Sequence, residues 1–404
     1  RQRQMCIRDR VYGNAINNGQ VNYAAYTSKA SIQGTLNPFI NHLGNGITDP
    51  YIAKNTDCVP VKAELVWQDA PSLVTDIKYN SGTNGGTISF KVDKENIRQG
   101  NALIAIKDSQ NTILWSWHIW ITDENIYHTI KVTNHQNVSH DLMPIHLGWC
   151  EGEVINYAAR SCQVQFIAHG QTRLITVNQM RSTTSTQGNC TFYEWGRKDP
   201  LRPSSGYAYK NKTWYNAAGI ASTANHAVES FPFGNECIKN YIRKPDVMQK
   251  EIGGDNTYFN LWNADNNTNS NVYNDNPVTK TVYDPCPVGF AMPPSNTFTG
   301  FTTTGENVTN TVAKYNGEWN SSLPGWNFYC GPNKTGGTIF FPMTGERISS
   351  GGHLSAVGSL GHTWSATSTH SNYAHNLTLY TNYWVWPLDR FSKSAGHGVR
   401  PCLE

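Results

Sequence analysis

Short segments in which apolar and polar residues alternate constrain the fold of this chain more than any other feature. Between 61 and 67, and again between 88 and 92, every second residue is apolar. Such alternation is typical of β-strands with one buried face. Further along, two apolar runs at 102–106 and 113–121 flank the polar segment Lys107–Asn111, which predicts a β-hairpin. The first third of the chain is therefore expected to be a β domain.

The run 113–121 is apolar on both faces of the predicted strand. Trp115 and Trp117 share one face with three isoleucines, whereas His118 and Trp120 lie on the other. Aromatic and β-branched side chains pack well in sheets, so we expect a core strand of a β-sandwich. The alternative is an aromatic platform on which a sugar ring stacks, because aromatic rings offer flat apolar surfaces with defined contact geometry.

Length and charge narrow the class of protein. The chain has 404 residues, of which 15% are charged, and its net charge is +3. The length predicts two or three domains. So small a charge, with no stripe of Lys and Arg, does not indicate nucleic-acid binding. No apolar run reaches the roughly 20 residues of a membrane-spanning helix, so we predict no membrane span.

The cysteines indicate where the protein works. Residues 1–10 match no structural pattern, and we interpret them as a non-native leader joined to a domain that has lost its first strand. Without Cys6, eight cysteines remain, none of them in Cys-x-x-Cys spacing. Widely spaced cysteines in even number favour an oxidising compartment over a zinc site. We therefore expect a secreted or cell-surface protein associated with the outer membrane. Free, buried thiols are the alternative for any of these cysteines.

Four motifs follow one another in the last third of the chain. The first, Tyr283–Pro293, contains Cys-Pro-Val-Gly-Phe, and the second, Phe341–Arg347, reads Phe-Pro-Met-Thr-Gly-Glu-Arg. The third and fourth are Gly361–Thr367, with Trp-Ser-Ala-Thr, and Gly396–Cys402, with Gly-Val-Arg-Pro-Cys. Glycine occurs in all four motifs and proline in three of them, which predicts short strands joined by tight turns.

In this order the four motifs resemble the Fibrobacter major-paralogue domain family, which is similar to C-type-lectin-like folds on secreted proteins of Bacteroidetes-type bacteria. The segments Gln99–Asp108 and Ile113–Asp123 resemble the β-domain of secreted fimbrillin-associated proteins of Bacteroidales. Together the resemblances imply a mainly β chain with some α+β structure. They place an N-terminally truncated β-sandwich-like domain at 11–134 and a C-type-lectin-like module at 135–404, with a long insertion at about 200–282.

Some details of the second module can be predicted as well. Cys286 lies in the first of the four motifs, and Cys402 lies in the predicted last strand, at the end of the fourth motif. We expect a disulfide between them. Arg347 and Arg400 lie beside glycines in the motifs, and we expect each to bury its stem and to pair with a carboxylate. One short helix is expected at about 236–243, before a proline.

A second hairpin is predicted early in the module. Cys162–Ala168 and Thr172–Val177 are two strand-like segments, and His169 and Gly170 between them favour a turn. This pattern predicts a hairpin.

Catalytic and metal-binding patterns are not assembled in the sequence. A Gly-x-Ser-x-Gly nucleophile turn is missing, and His135, His140 and His146 lack the i, i+4 spacing of a zinc protease helix. His362 and His397 flank two of the motifs and could meet in the fold, although most histidines are structural. We predict no enzyme activity, no cofactor and no metal site.

The calcium motifs of sugar-binding C-type lectins are incomplete here. Trp262–Asp265 is one residue longer than Trp-Asn-Asp, and Asp275–Pro277 is a weaker echo of a second motif. A calcium site needs six to eight oxygen ligands, and the sequence specifies none of them.

Aromatic residues in Gly- and Asn-rich surroundings are the best candidates for ligand contact. They are Trp326, Tyr329, Tyr383, Trp384 and Trp386. The alternative for Trp384 and Trp386, which alternate along a strand, is that they face the core.

The leading hypothesis is a non-enzymatic adhesion or recognition protein of the cell surface, a fimbrial tip or accessory component. Its partners would be a glycan, a host or bacterial surface protein, or other fimbrial subunits. The alternatives are an accessory module of extracellular glycan degradation and a purely structural surface protein.

Overall fold

The chain is mainly β, as predicted. The computed structural model describes residues 3–7, 11–94, 97–152, 154–185, 187–250, 258–268, 270–369, 372–381 and 383–404. Within these ranges there is a single α-helix, α1 (Asn235–Arg243). No helix in the described part is both long and apolar enough to cross a bilayer.

The strands are short and numerous. The first ten are β1 (Arg3–Ile7), β2 (Ile16–Asn17), β3 (Gln20–Val21), β4 (Lys62–Gln68), β5 (Thr75–Asn80), β6 (Thr87–Val92), β7 (Gly100–Lys107), β8 (Ile113–Ile121), β9 (Ile130–Thr133) and β10 (Ser139–Leu142). The next eight are β11 (Val154–Tyr157), β12 (Arg160–Ala168), β13 (Gln171–Gln179), β14 (Ser182–Ser185), β15 (Trp214–Tyr215), β16 (Ala221–Ser222), β17 (Ala227–Glu229) and β18 (Val247–Gln249). The last eleven are β19 (Phe290–Ala291), β20 (Val308–Thr309), β21 (Gly317–Asn320), β22 (Gly325–Gly331), β23 (Thr335–Pro342), β24 (Glu346–Arg347), β25 (Leu354–Ser355), β26 (Leu360–Ser368), β27 (Tyr373–Tyr380), β28 (Trp384–Ser392) and β29 (Cys402–Leu403).

A five-stranded sheet has the order β16-β15-β4-β7-β8, in which β4 is the first strand predicted from alternation. The second such strand, β6, lies in a separate three-stranded sheet. β7 and β8 form the expected hairpin, with Ile104 opposite Trp117. Trp115 is 1% exposed and meets Tyr12 edge-on at 4.8 Å between ring centroids. The core-strand prediction for 113–121 is therefore confirmed, with Trp117 and Trp120 partly buried against the same apolar cluster.

Strand β1 comes from the segment that the sequence led us to interpret as a leader. Arg3–Ile7 pairs antiparallel with β6, with Met5 opposite Phe90. The resulting three-stranded sheet has the order β1-β6-β5. This segment supplies hydrogen-bond partners to the backbone groups along one edge of β6. Without it, that edge would present unpaired N–H and C=O groups.

The carboxy-terminal strands enclose a separate apolar cluster. A four-stranded sheet of order β20-β28-β27-β26 and a three-stranded sheet of order β21-β22-β23 both contribute to it. Its members include Phe301, Phe328 and Phe341. Phe301, in the helical turn Thr299–Phe301, stacks on Phe328 of β22 at 4.0 Å between centroids, so aromatic packing joins this turn to the three-stranded sheet.

The last strand lies where the sequence predicted it, but without the disulfide. Cys402 on β29 is opposite Ala291 of β19 on one side and Leu142 of β10 on the other. Cys286 and Cys402 are nevertheless both free, buried thiols in the structure. Backbone pairing rather than a covalent bond therefore connects the chain end to the Tyr283–Pro293 segment. Burial raises the pKa of both thiols, which disfavours their reactive thiolate forms.

The larger apolar cluster draws on both predicted modules. It contains Tyr12 and Trp115 from the first, and Trp195, Tyr283 and Trp364 from the second. β15, from the predicted insertion, pairs with β4 of the first module. The division near 134 remains a prediction, and the structure adds that residues on both sides of it share one core.

The predicted helix is confirmed as α1. It buries four residues on one side, Cys237, Ile238, Tyr241 and Ile242, as an amphipathic surface helix should.

Arg347 and Arg400 are fully buried, as predicted, but their partners differ from the expectation. Arg347 donates to the carbonyl oxygens of Arg202 and Gly352, at 2.8 and 2.9 Å. Arg400 donates to the carbonyl oxygen of Met143 at 3.0 Å. Arg400 also donates to the carbonyl oxygen of Phe340 in β23. The prediction of a carboxylate partner was wrong, because backbone carbonyl oxygens accept these N–H groups instead.

Candidate functional site

Three of the five predicted ligand residues lie together at one end of the four-stranded sheet. Trp384 and Trp386 point to the same side of β28, and Val385 between them points into the carboxy-terminal core. This alternation follows from the two-residue period of a strand. Both tryptophans are half-buried, and Tyr383 in the preceding turn is 51% exposed.

Tyr380 completes the group from the neighbouring strand. It is directly opposite Trp384 in the β27–β28 pairing. The ring centroids of Tyr380 and Trp384 are 4.9 Å apart, those of Trp384 and Trp386 4.6 Å, and those of Tyr380 and Tyr383 6.0 Å. We call these four residues the aromatic ladder. The sequence candidates did not include Tyr380, and only its cross-strand position reveals it.

The order of rings in the aromatic ladder decides which faces are open. The Trp384 and Trp386 planes are 7° from parallel, and Tyr380 lies against Trp384 at 34°. Trp384 therefore has an aromatic neighbour on each side. Tyr383 and Trp386 end the ladder, and in the described residues no further ring contacts either of them. A ligand that stacks on a ring face would thus meet these two terminal residues.

Polar groups line the edge strand beside the ladder. The Trp386 indole donates a hydrogen bond from Nε1 to Thr309 Oγ1 of β20 at 3.0 Å. The exposed Asn307 is held by Leu388, since its amide donates to the Leu388 carbonyl at 3.0 Å and accepts from the Leu388 N–H at 2.9 Å. The Tyr315 hydroxyl donates to the Tyr383 carbonyl oxygen. Hydroxyl and amide groups beside exposed rings are the combination that a polyhydroxylated ligand requires.

The structure does not bring Trp326 and Tyr329 to this surface. Trp326 is 2% exposed and lies in the carboxy-terminal core, stacked on Phe328 at 5.7 Å. Its prediction as a ligand contact was wrong, because β22 is covered by neighbouring sheet on that face. Tyr329 is half-buried on the same strand, and its hydroxyl donates to Glu318 at 2.8 Å. That hydrogen bond raises the pKa of Tyr329.

The two histidines beside the motifs do meet. His362 on β26 and His397 stack with 4.3 Å between ring centroids, and Trp364 covers the other side of His397 at 4.3 Å. Glu346 Oε2 is 3.7 Å from His397 Nε2. Burial lowers the pKa of His362 to about 3 and that of His397 well below its usual value, so both rings are neutral.

These three side chains raise the question of a metal site, since their ligand atoms lie within 4.8 Å of one another. An imidazole binds a metal in the plane of its ring, at about 2.0–2.1 Å for zinc. The planes of His362 and His397 are 12° from parallel. Two stacked, nearly parallel rings share no nearby point that lies in both planes. We therefore assign no metal to this arrangement and interpret it as a neutral, stacked core.

Neither calcium motif leaves a free carboxylate. Trp262 is fully buried, and Asp265 accepts hydrogen bonds from the Lys29 N–H at 3.2 Å and from Thr279 Oγ1 at 2.9 Å. Asp275 accepts from the Asn134 and Asn296 amides, at 2.6 and 2.8 Å. These carboxylates hold loops together, because amide and hydroxyl donors occupy their oxygens.

Comparisons of the chain with known protein families, with curated proteins and with solved structures return no match.

Proposed function

We propose that this protein is a non-enzymatic recognition protein of the cell surface that binds a glycan at the aromatic ladder. The observation that carries the proposal is the placement of four contiguous, partly exposed rings beside the polar edge strand β20. Sugar rings bury their C–H faces against aromatic rings while amides and hydroxyls bind their hydroxyl groups. The terminal rings Tyr383 and Trp386 would make the stacking contacts, and Asn307 and Thr309 the polar ones.

Secretion and a role as a fimbrial tip or accessory component belong to the same proposal. They are supported by the order of motifs that resembles fimbrillin-associated proteins with a Fibrobacter major-paralogue, C-type-lectin-like module. An accessory module of glycan degradation would use the same surface. The mutual stacking within the ladder favours one further alternative, a purely structural role, because Trp384 uses both ring faces inside the protein.

The test is binding of the full chain to an array of bacterial and host glycans, followed by titration of the best ligand. Trp386→Ala should weaken binding at least tenfold, a loss of about 1.4 kcal/mol. Tyr383→Ala should weaken it by a similar factor. Tyr373→Ala is the matched control, since Tyr373 is 41% exposed at the opposite end of β27.

Two outcomes would contradict the proposal. Equal affinities for the wild type and both ladder variants would show that the glycan binds at another surface of the protein. No ligand on the array, together with a lower thermal stability of Trp386→Ala, would support the structural role instead.

A further inference from the structure

A long two-stranded hairpin stands away from the body of the protein. It consists of β12, β13 and the turn His169–Gly170, and we call it the β-arm. The two turn residues have φ values of 50° and 76°, which suit the tight turn of a two-residue hairpin. Every residue of β12 and β13 is exposed. In the described residues no third strand pairs with either edge. The hairpin predicted from the sequence is thus confirmed, and no part of the chain that the structure describes covers it.

The register divides the β-arm into two different faces. Cys162 is opposite Val177, and Val164 is opposite Ile175. With Phe166, these side chains form one apolar face, and their exposed fractions include 54% for Phe166 and 52% for Ile175. The other face carries mainly uncharged polar residues. It comprises Ser161, Gln163, Gln165, Thr172, Thr176 and Asn178, with Ile167 and Leu174 near the tip.

The charge of the β-arm has one sign. Residues 154–193 contain no Asp or Glu, and the charged residues among them are three arginines. Arg160 and Arg173 lie on the apolar face by register, one near its base and one near its tip. The face therefore presents an apolar patch between two cations. Its complement is a surface that is apolar and negatively charged.

The dimensions of the β-arm argue against a protein partner on this face. Two strands are about 10 Å wide and nine residues are about 30 Å long, so one face offers a few hundred Å². A stable protein interface buries about 800 Å² on each partner. Two copies of the arm packed face to face would fall short of this area and would also add four arginines without a carboxylate. A lipid surface needs no shape complementarity, because apolar burial and attraction to anionic headgroups add directly.

We propose that the β-arm is a peripheral membrane contact that lays its apolar face on an anionic lipid surface. Phe166, Ile175 and their neighbours would enter the boundary between headgroups and acyl chains. Arg160 and Arg173 would extend their guanidinium groups to lipid phosphates, as long cationic side chains do at membrane interfaces. This contact is independent of the aromatic ladder and would hold whether or not the ladder binds a glycan.

The experiment is flotation of the full chain with vesicles, in the presence of a thiol reductant so that Cys162 cannot cross-link copies. The vesicles contain phosphatidylcholine alone, or equal parts of phosphatidylcholine and phosphatidylglycerol. We expect the protein to float with the anionic vesicles only. Raising the salt from ~0.1 M to ~1 M should release it, because the Debye length shortens from about 10 Å to about 3 Å.

Two variants separate the apolar and ionic contributions. Phe166→Ser with Ile175→Ser should reduce vesicle binding at least tenfold. Arg160→Gln with Arg173→Gln should reduce it roughly thirtyfold, at about 1 kcal/mol for each cation near an anionic surface.

The matched control is Gln165→Ser with Thr176→Ser, which changes two residues on the opposite face and should leave binding unchanged. Near-UV circular dichroism of each variant checks that the body of the protein is still folded.

Several results would overturn the proposal. They are no binding by the wild type, equal binding to neutral vesicles, or full binding by both the serine and the glutamine variants. A dimer in analytical ultracentrifugation that the Phe166→Ser, Ile175→Ser variant dissociates would also overturn it, because a second copy would then cover the face.

Discussion

At the scale of single residues, His362 makes the stability of the protein depend on pH. Its ring is buried against His397 and Phe391, and burial lowers its pKa to about 3 from an ordinary 6.5. Below pH 6.5 the unfolded chain therefore binds a proton that the folded chain does not. Stability should be complete above pH 6.5 and should fall as the pH decreases toward 3, at up to about 1.4 kcal/mol per pH unit for this one group.

Chemical denaturation between pH 4 and pH 7 measures this slope. His362→Gln should make the slope shallower by the contribution of this one group, because glutamine takes up no proton in the unfolded state. The remaining slope comes from other buried histidines with a lowered pKa, such as His397 and His118. The exposed His135, replaced by Gln, is the matched control and should keep the wild-type slope. An unchanged slope in His362→Gln would show that His362 is solvated in the folded protein.

Arg347 is the clearest case of a residue that the fold depends on. Besides the two carbonyl oxygens, it donates to Asn211 Oδ1 at 2.5 Å, and it is 0% exposed. Lysine has one ammonium group and cannot reach all these acceptors. Arg347→Lys should therefore lower the free energy of unfolding by about 3 kcal/mol. Urea denaturation checks this, with the exposed Arg390→Lys as a control that should change it by less than about 0.5 kcal/mol.

The burial of Arg347 and Arg400 could be predicted from the sequence, but their acceptors could not. A glycine-rich motif indicates a tight turn, and turns leave carbonyls unpaired. Which carbonyl reaches which guanidinium depends on loops such as the one containing Arg202, more than a hundred residues away in sequence. Trp326 failed as a ligand prediction for a similar reason, because its surroundings in sequence do not reveal the sheet that covers it.

At the scale of elements, hairpins and helices encoded by neighbouring residues could be predicted from the sequence, whereas long-range strand pairings could not. The β7–β8 hairpin, the β-arm and α1 were all predictable, since alternation, turn residues and helix boundaries are encoded within about 20 residues. The pairing of β10 with β29 joins residues 142 and 402 and has no local signal. The aromatic ladder could be predicted only in part. Trp384 and Trp386 follow from the alternation along β28, whereas Tyr380 can be recognised only from the pairing register of β27 with β28.

At the scale of the whole molecule, polar contacts cross the predicted boundary near 134 together with the shared apolar cluster. Ser116 Oγ donates to Asp199 Oδ1 at 2.8 Å. Tyr193 and His118 are linked by a hydrogen bond of 3.1 Å. Tyr193 and Asp199 are fully buried. Separating the two parts would leave such groups without partners, at a cost of about 1–3 kcal/mol for each.

Residues 11–134 and 135–404, produced separately, should therefore not fold as independent domains. We expect each to lack a cooperative thermal transition and a native near-UV circular dichroism spectrum, because Trp115 and Trp195 each lose part of the cluster that buries them. Mixing the two parts should restore the spectrum if the shared core is what stabilises them, and the intact chain is the reference. A cooperative transition and well-dispersed amide resonances from residues 135–404 alone would contradict this expectation. They would show that the second module is an autonomous domain and that the shared cluster only joins two units already folded.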